Sequence, residues 1–167
     1  MIKLKRDILI FPKFKNIDLI QKIREDYDEL ASLVDPHITL VFPFNDEIGT
    51  PALSLKIKEV IKDISPFKVV FNGISLSDDN YIFLNCTIGN DTIKKLHDKI
   101  YRDVLPTHYN KNIEYIPHIT LGISDDISFL NDFYYSFEDI IDEIVIEGIG
   151  IHQESIILDR IKLKDQK

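Results

Sequence analysis

The chain has 167 residues, 44% of them hydrophobic, and a formal net charge of −8. That is enough for one domain with a substantial core. No apolar run approaches the roughly 20 residues of a membrane span, no secretory or transit signal is evident, and the single Cys86 excludes an internal disulfide and a cysteine-based zinc knuckle. A cytoplasmic protein, acting as a monomer, is the expectation.

Taken in order, residues 2–11 alternate up to Pro12 and predict a strand. A helix follows, with Asn16 as N-cap and Ile20, Ile23, Tyr27, Leu30 and Val34 at helical spacing. A strand is expected at 37–44. Thr50-Pro51 then reads as a cap with proline in the first helical position, ahead of an apolar stripe of Leu53, Ile57, Val60, Ile61 and Ile64. Strand 67–77 closes a first unit. Strand 81–88 opens a second, followed by a helix capped by Asp91 and carrying Ile93, Leu96, Ile100 and Val104 on one face. A loop over 106–112, strand 118–123, a helix near 127–137 and strand 142–152 come next. A last strand, 155–164, is expected to hairpin back through Gln153-Glu154.

The same order of elements occurs twice, and the sequence repeats with it. Pro36-His37-Ile38-Thr39-Leu40 returns 81 positions later as Pro117-His118-Ile119-Thr120-Leu121. Gly73-Ile74-Ser75-Leu76 is echoed 75 positions later by Gly148-Ile149-Gly150-Ile151. The expected fold class is therefore α+β: one bilobal domain of two β-α-β-α-β units, about 1–78 and about 79–167, with mostly antiparallel sheets and a pseudo-two-fold axis.

Side chains alternate across a strand, so His37 and Thr39 share a face, as do His118 and Thr120. On each strand the pair lies about 7 Å apart. The intervening Ile and Leu turn to a helix layer, and the proline suits a strand's first residue. Two imidazoles and two hydroxyls around one cleft suit phosphoryl transfer. One neutral His takes a proton from the attacking oxygen, the other gives one to the leaving oxygen, and the hydroxyls donate to the non-bridging oxygens. The scheme needs no cofactor and no metal.

Two H-x-T motifs some 80 residues apart on strands of a duplicated α+β unit resemble the two-histidine (2H) phosphoesterase superfamily, which includes the LigT-like 2′-5′ RNA ligases and the 2′,3′-cyclic phosphodiesterases. The resemblance implies a bilobal LigT-like fold, no metal, and action on cyclic phosphates or 2′-5′ phosphodiester bonds of RNA or nucleotides. It maps catalysis onto His37 and His118 and phosphate binding onto Thr39 and Thr120. Many LigT-like members follow the second motif with Arg, whereas this chain has Gly122-Ile123.

The remaining candidates are secondary. Tyr115 is a candidate to line the substrate pocket by stacking on a base. Phe42 and Phe44 are expected on the core side by strand parity. His97 is read as packing, His108 as solvated in its loop and His152 as a turn residue. Lys5, Arg6 and Lys111 are candidate cations for phosphate. No Lys or Arg lies between Lys111 and Arg160, where eleven acids fall, and the basic C-terminus is placed to neutralise some of them. An acidic chain is a poor binder of long nucleic-acid tracts. The expected partner is a small phosphate ester, a nucleotide or an RNA terminus, not a membrane. A nucleotide- or RNA-end-binding module without turnover is the alternative. A metal hydrolase using the histidines with Asp35 or Asp46 is the third reading, and H-x-T offers it only one ligand per strand.

Overall fold

The computed structural model describes residues 3–166. Eight strands and three α-helices follow one another as β1 (Lys5–Ile10), α1 (Asp18–Tyr27), β2 (Ile38–Phe44), α2 (Thr50–Val60), β3 (Phe67–Leu76), β4 (Tyr81–Ile88), α3 (Asn90–Asp103), β5 (His118–Ile123), β6 (Phe137–Ile141), β7 (Glu143–Ile149) and β8 (Ser155–Lys162). The expected start of β1 at Ile2 lies outside the described residues.

All strands join one antiparallel sheet in the order β6-β3-β4-β5-β2-β1-β7-β8. At its centre β2 and β5 meet through a single register pair, Ile38 with Ile119, so the sheet is two four-stranded halves on a narrow seam. Each half mixes early and late chain. β3 lies beside β4, and β7 lies beside β1, on opposite sides of the seam. The sheet is also curled. β6 ends one edge, yet after Asp142 alone the chain re-enters as β7 inside the other half. The boundary expected near residue 78 falls in the tight β3–β4 turn, where Asn80 N donates to the Ser77 carbonyl.

Helices α2 and α3 bury most of their predicted stripes, whereas α1 ends at Tyr27: of its expected stripe Ile20 is buried, Ile23 and Tyr27 are half-buried, and Leu30 and Val34 lie beyond the helix, Leu30 being exposed. Ile20 of α1, Leu53 and Ile57 of α2, and Ile93, Leu96 and Ile100 of α3 are all fully buried. They join one apolar cluster with Ile8, Ile10, Ile38, Leu40, Ile119 and Leu121 from the central strands. Burial of such side chains, about 1.5–3 kcal/mol each, is what fixes the strand faces.

Four local expectations are corrected. Asn16 does not cap α1; it lies two residues before the helix, and its amide donates to the Ser136 carbonyl at 3.2 Å. Gly49 occupies the cap position of α2, and Thr50 instead accepts a hydrogen bond from Arg6 at 3.1 Å. Gly89 precedes α3 with φ of 89°, where a Cβ would meet the Lys68 carbonyl at 2.4 Å, so Asp91 is left to stabilise the first turn. Finally, no helix forms over 127–137. A short turn over 128–130 leads to β6, an edge strand that puts Phe137 between Phe14, 5.6 Å away ring to ring, and Phe133. Aromatic residues there suit a strand's half-buried surface better than a helix, and the open edge of β3 takes them up. The second unit thus lacks its second helix.

The expected terminal hairpin forms: β7 and β8 pair along their length, turning through Gly150–Glu154 with Gln153 at φ of 68°. The basic C-terminus meets acid, as Arg160 binds Glu143 at 2.8 Å and Lys162 binds it at 3.0 Å. No helix among the described residues is long and apolar enough to cross a membrane.

Candidate active site at the central seam

The two pentapeptides enter the sheet beside its seam. Ile38, Leu40, Ile119 and Leu121 are fully buried, while His37, Thr39, His118 and Thr120 alternate with them and stay partly exposed. Antiparallel pairing of Ile38 with Ile119, continued one residue each way, sets His37 opposite Thr120 and Thr39 opposite His118. The seam therefore brings the four predicted residues onto one face, as two histidine–threonine pairs across adjacent strands.

Both imidazoles are held alike. His37 Nδ1 lies 2.8 Å from the Asp35 carbonyl and His118 Nδ1 lies 2.6 Å from the Ile116 carbonyl, in each case two residues upstream. A carbonyl only accepts, so Nδ1 carries the hydrogen and Nε2 is left to exchange a proton. Burial lowers the proton affinity of both rings below the usual histidine range, against the support of those carbonyl bonds. Arg24 lowers His37 further, Glu147 and Asp28 oppose it, and a charge on His37 lowers His118. That effect reflects the closeness of the two imidazoles across the seam.

The surroundings differ between the two. Phe83 of β4 stacks on His118 with centroids 3.6 Å apart, whereas Phe11 meets His37 edge-on at 6.2 Å. Next to the entry of the first motif a groove of about 690 Å³ opens, lined in part by Phe11, Lys13, Asp35, Pro36 and Arg160, and none of the four motif residues lines it. Among the described residues Lys13 makes no ion pair.

Other predicted residues lie elsewhere. Tyr115 does not line the cleft: its ring stacks on buried His97 at 3.8 Å and its hydroxyl donates to the Thr39 carbonyl at 2.7 Å, supporting the first motif from behind. Phe44 is buried as parity predicts, but Phe42 is 38% exposed because β2 is irregular beyond Thr39. His108 is not simply solvated; its Nε2 lies 2.7 Å from Asp46 and its ring tilts against Phe44. His152 is exposed at the β7–β8 turn. Arg6 is unavailable to phosphate, being buried and bound to Thr50 and to the Asp46 and Ile48 carbonyls. Lys5 and Lys111 are exposed. Among the described residues, no three His, Cys, Asp or Glu side chains converge as a metal-binding group.

Gly122, in the Gly122-Ile123 pair that follows the second motif, has φ of 148°, and a Cβ there would meet the Tyr27 carbonyl oxygen at 2.4 Å. The end of α1 lies so close to β5 that no side chain fits at Gly122, while the neighbouring Ile123 is exposed.

Sequence reading overlooked two buried polar groups. Arg24 is 1% exposed on α1, and its position one turn after Ile20, in phase with the apolar stripe, was the available signal. Asp7 and Glu147 face each other from β1 and β7, both buried. Burial, with Glu147's charge and hydrogen bond, pushes the Asp7 carboxyl up to about 8, and its Oδ1 has no hydrogen-bond partner. Acids interrupting the apolar runs of β1 and β7 were the signal there.

Comparison with known proteins agrees with this geometry. A protein of Oceanobacillus iheyensis, named a phosphoesterase by inference, is 27% identical over 166 residues, covering 96% of this chain and 88% of its own length. Another so named, from Geobacillus sp. (strain WCH70), is 29% identical over 128 residues, covering 71% of this chain and 69% of its own. Among solved structures, E. coli LigT in its apo form superposes with a TM-score of 0.69 at 13% identity, covering 97% of this chain and 98% of that one. The same protein complexed with 3′-AMP gives 0.67 at 13% identity, covering 97% and 99%. These likenesses give the fold, a curled antiparallel sheet with three helices. The family model described as the 2′-5′ RNA ligase superfamily matches residues 12–138, a span that takes in both histidine motifs, and the chain belongs to that superfamily of 2H phosphoesterases.

Proposed function

We propose that the protein is a metal-independent phosphoesterase acting on 2′,3′-cyclic phosphate or 2′-5′ phosphodiester bonds of RNA ends or nucleotides. The observation that carries this reading is the matched tautomer: two imidazoles across one seam, each with Nδ1–H tied to a carbonyl and Nε2 free. In hydrolysis of a cyclic phosphate, one neutral Nε2 removes a proton from water as its oxygen bonds to phosphorus. The other, protonated, passes its proton to the departing ribose oxygen, leaving a phosphomonoester. With a ribose 5′-hydroxyl in place of water, the same transfers in the same direction open the cyclic phosphate: the new bond to phosphorus makes a 2′-5′ link, and the 3′-oxygen leaves with the acid's proton. Both rings have lowered proton affinity, and a bound phosphate anion restores the charged form of the one that acts as acid.

Thr39 and Thr120 bind the non-bridging oxygens, where charge develops in the transition state. The groove at Asp35 and Pro36 has room for a nucleoside, with Phe11, whose ring also meets His37, as a stacking face and Lys13 as a cation. The equivalent placement of β3 and β7, which carry the Gly-Ile echo, on either side of the seam supports reading the fold as two copies of one unit about a pseudo-two-fold axis.

The test is incubation with a panel of 2′,3′-cyclic nucleotides and 2′-5′-linked dinucleotides, with and without chelator, followed by chromatography. Turnover unaffected by chelator is the expected result. Binding of the panel with no product would turn the reading into that of a nucleotide-binding module, and activity lost to chelator and restored by zinc would make the protein a metal hydrolase.

A further inference from the structure

We propose that Arg24 is a positioning residue for His37, clamping the loop that carries the Asp35 carbonyl and so holding the imidazole in one orientation and one tautomer. The inference rests on the reading of His37 as a proton-transfer group.

A guanidinium that is 1% exposed requires acceptors, since burying an unmatched charge costs several kcal/mol. Arg24 has three. Its Nε donates to Asp28 Oδ2 at 3.0 Å, its Nη1 to Gln21 Oε1 at 2.8 Å and its Nη2 to the Val34 carbonyl at 2.7 Å. The supporting groups reach the same loop. Gln21 Nε2 donates to the Ala31 carbonyl at 2.8 Å, and Asp28 Oδ1 accepts from Leu30 N at 3.0 Å. Three side chains of α1 and its C-terminus thus fix residues 28–34, a segment with neither a long helix nor a strand to hold it.

Only Asp35 and Pro36 separate Val34 from His37, and proline's fixed φ transmits the position of one to the other. The Asp35 carbonyl then accepts from His37 Nδ1. The other histidine is approached differently. Tyr115 stacks on His97 and bonds the Thr39 carbonyl, and the next carbonyl, that of Ile116, receives His118 Nδ1. No buried charge takes part on that side.

Charges reach His37 from α1 and its end (Arg24 and Asp28) and from β7 (Glu147). Arg24 and Asp28 oppose one another there, so the forked geometry of the guanidinium, rather than its charge, is the larger contribution. Arg24→Lys separates the two, because it keeps the charge and loses the fork.

The experiment combines ¹⁵N NMR of the imidazoles with steady-state kinetics on a 2′,3′-cyclic nucleotide. In the wild type both rings show the Nδ1–H tautomer. In folded Arg24→Lys, His37 becomes a mixture of tautomers while His118 is unchanged, and kcat falls roughly 10- to 100-fold with KM within about twofold. Gln21→Met, a milder loosening of the same clamp, moves His37 in the same direction by less and decides the matter if Arg24→Lys does not fold. A folded variant with an unchanged His37 tautomer and kcat within about twofold overturns the proposal, and so do tautomer changes of equal size in both histidines. If the wild type turns over no substrate, the proton-transfer reading falls on its own, and the NMR comparison still decides the role of Arg24.

Discussion

The two motif regions are chemically alike and mechanically unlike. In each, a histidine bonds the carbonyl two residues upstream and a threonine follows two residues later on the same face. Around that shared part everything differs. The first copy is reached through a loop clamped by a buried guanidinium and continues into Val41; the second is reached past a tyrosine stacked on a histidine and continues into Gly122 under the end of α1. The imidazoles and their carbonyl bonds match, whereas the means of holding them do not. A site requires a fixed geometry of a few atoms, and many packings supply it.

The largest test of this comparison is removal of the shared part. His37→Ala and His118→Ala should each lower kcat/KM for a 2′,3′-cyclic nucleotide by roughly 10²- to 10⁴-fold, the range for loss of a general acid or base. Near-equal losses sustain the equivalence; full activity in either variant breaks it. Thr39→Val and Thr120→Val should cost about 10²-fold each, chiefly in kcat, if both hydroxyls meet the transition-state charge. A loss confined to one threonine would show that phosphate leans toward one half.

The next tests address the differences. Gly122→Ala should destabilise the fold by about 2 kcal/mol or more, because it adds a Cβ against the Tyr27 backbone at positive φ, and chemical denaturation measures this. pH separates the halves too. With both imidazoles below their ordinary 6.5, the kcat/KM optimum should lie on the acid side of 6.5 and decline as the acid form is lost at higher pH.

Asp7, on the His37 side only, gives the opposite lever. Its folded-state value of about 8 against 3.8 unfolded means the folded protein holds a proton the unfolded chain has lost, so stability falls as pH rises between those values. Asp7→Asn removes that loss, and its stabilising effect should grow by up to about 1.4 kcal/mol per pH unit from pH 4 to pH 8, then level off. A gain independent of pH would break the assignment. The smallest effect is Tyr115→Phe, which deletes one hydrogen bond to the Thr39 carbonyl and should cost about 1 kcal/mol of stability with little change in chemistry.

Most of the site's chemistry was legible in the sequence because it is local. Strand alternation alone put His37, Thr39, His118 and Thr120 on one side of their strands, and the structure has Ile38, Leu40, Ile119 and Leu121 on the other. The stripes of α2 and α3 were legible for the same reason. Caps were less so: glycine precedes both α2 and α3, and a backbone angle is not visible in residue type. The region 127–137 misled because its aromatic residues satisfy helical spacing as well as strand packing, and the free edge of β3 decided between them. Tyr115 and the Asp7–Glu147 contact depend on partners far along the chain, a distance at which spacing carries no information, and Arg24, though Gln21 and Asp28 stand at helical spacing from it, also needs the Val34 carbonyl of the following loop.

The single pair that joins β2 to β5 has a consequence for how the molecule works as a machine. His37 stands at the entry of one four-stranded leaf and His118 at the start of the other, so the gap between the imidazoles depends on the angle at which the leaves meet. The spine of this open book is one residue pair wide, reinforced across the fold by the chain's passage through Asp142. On the function proposed above, aperture rather than side-chain placement is the coordinate along which the site would fit phosphate groups of different size.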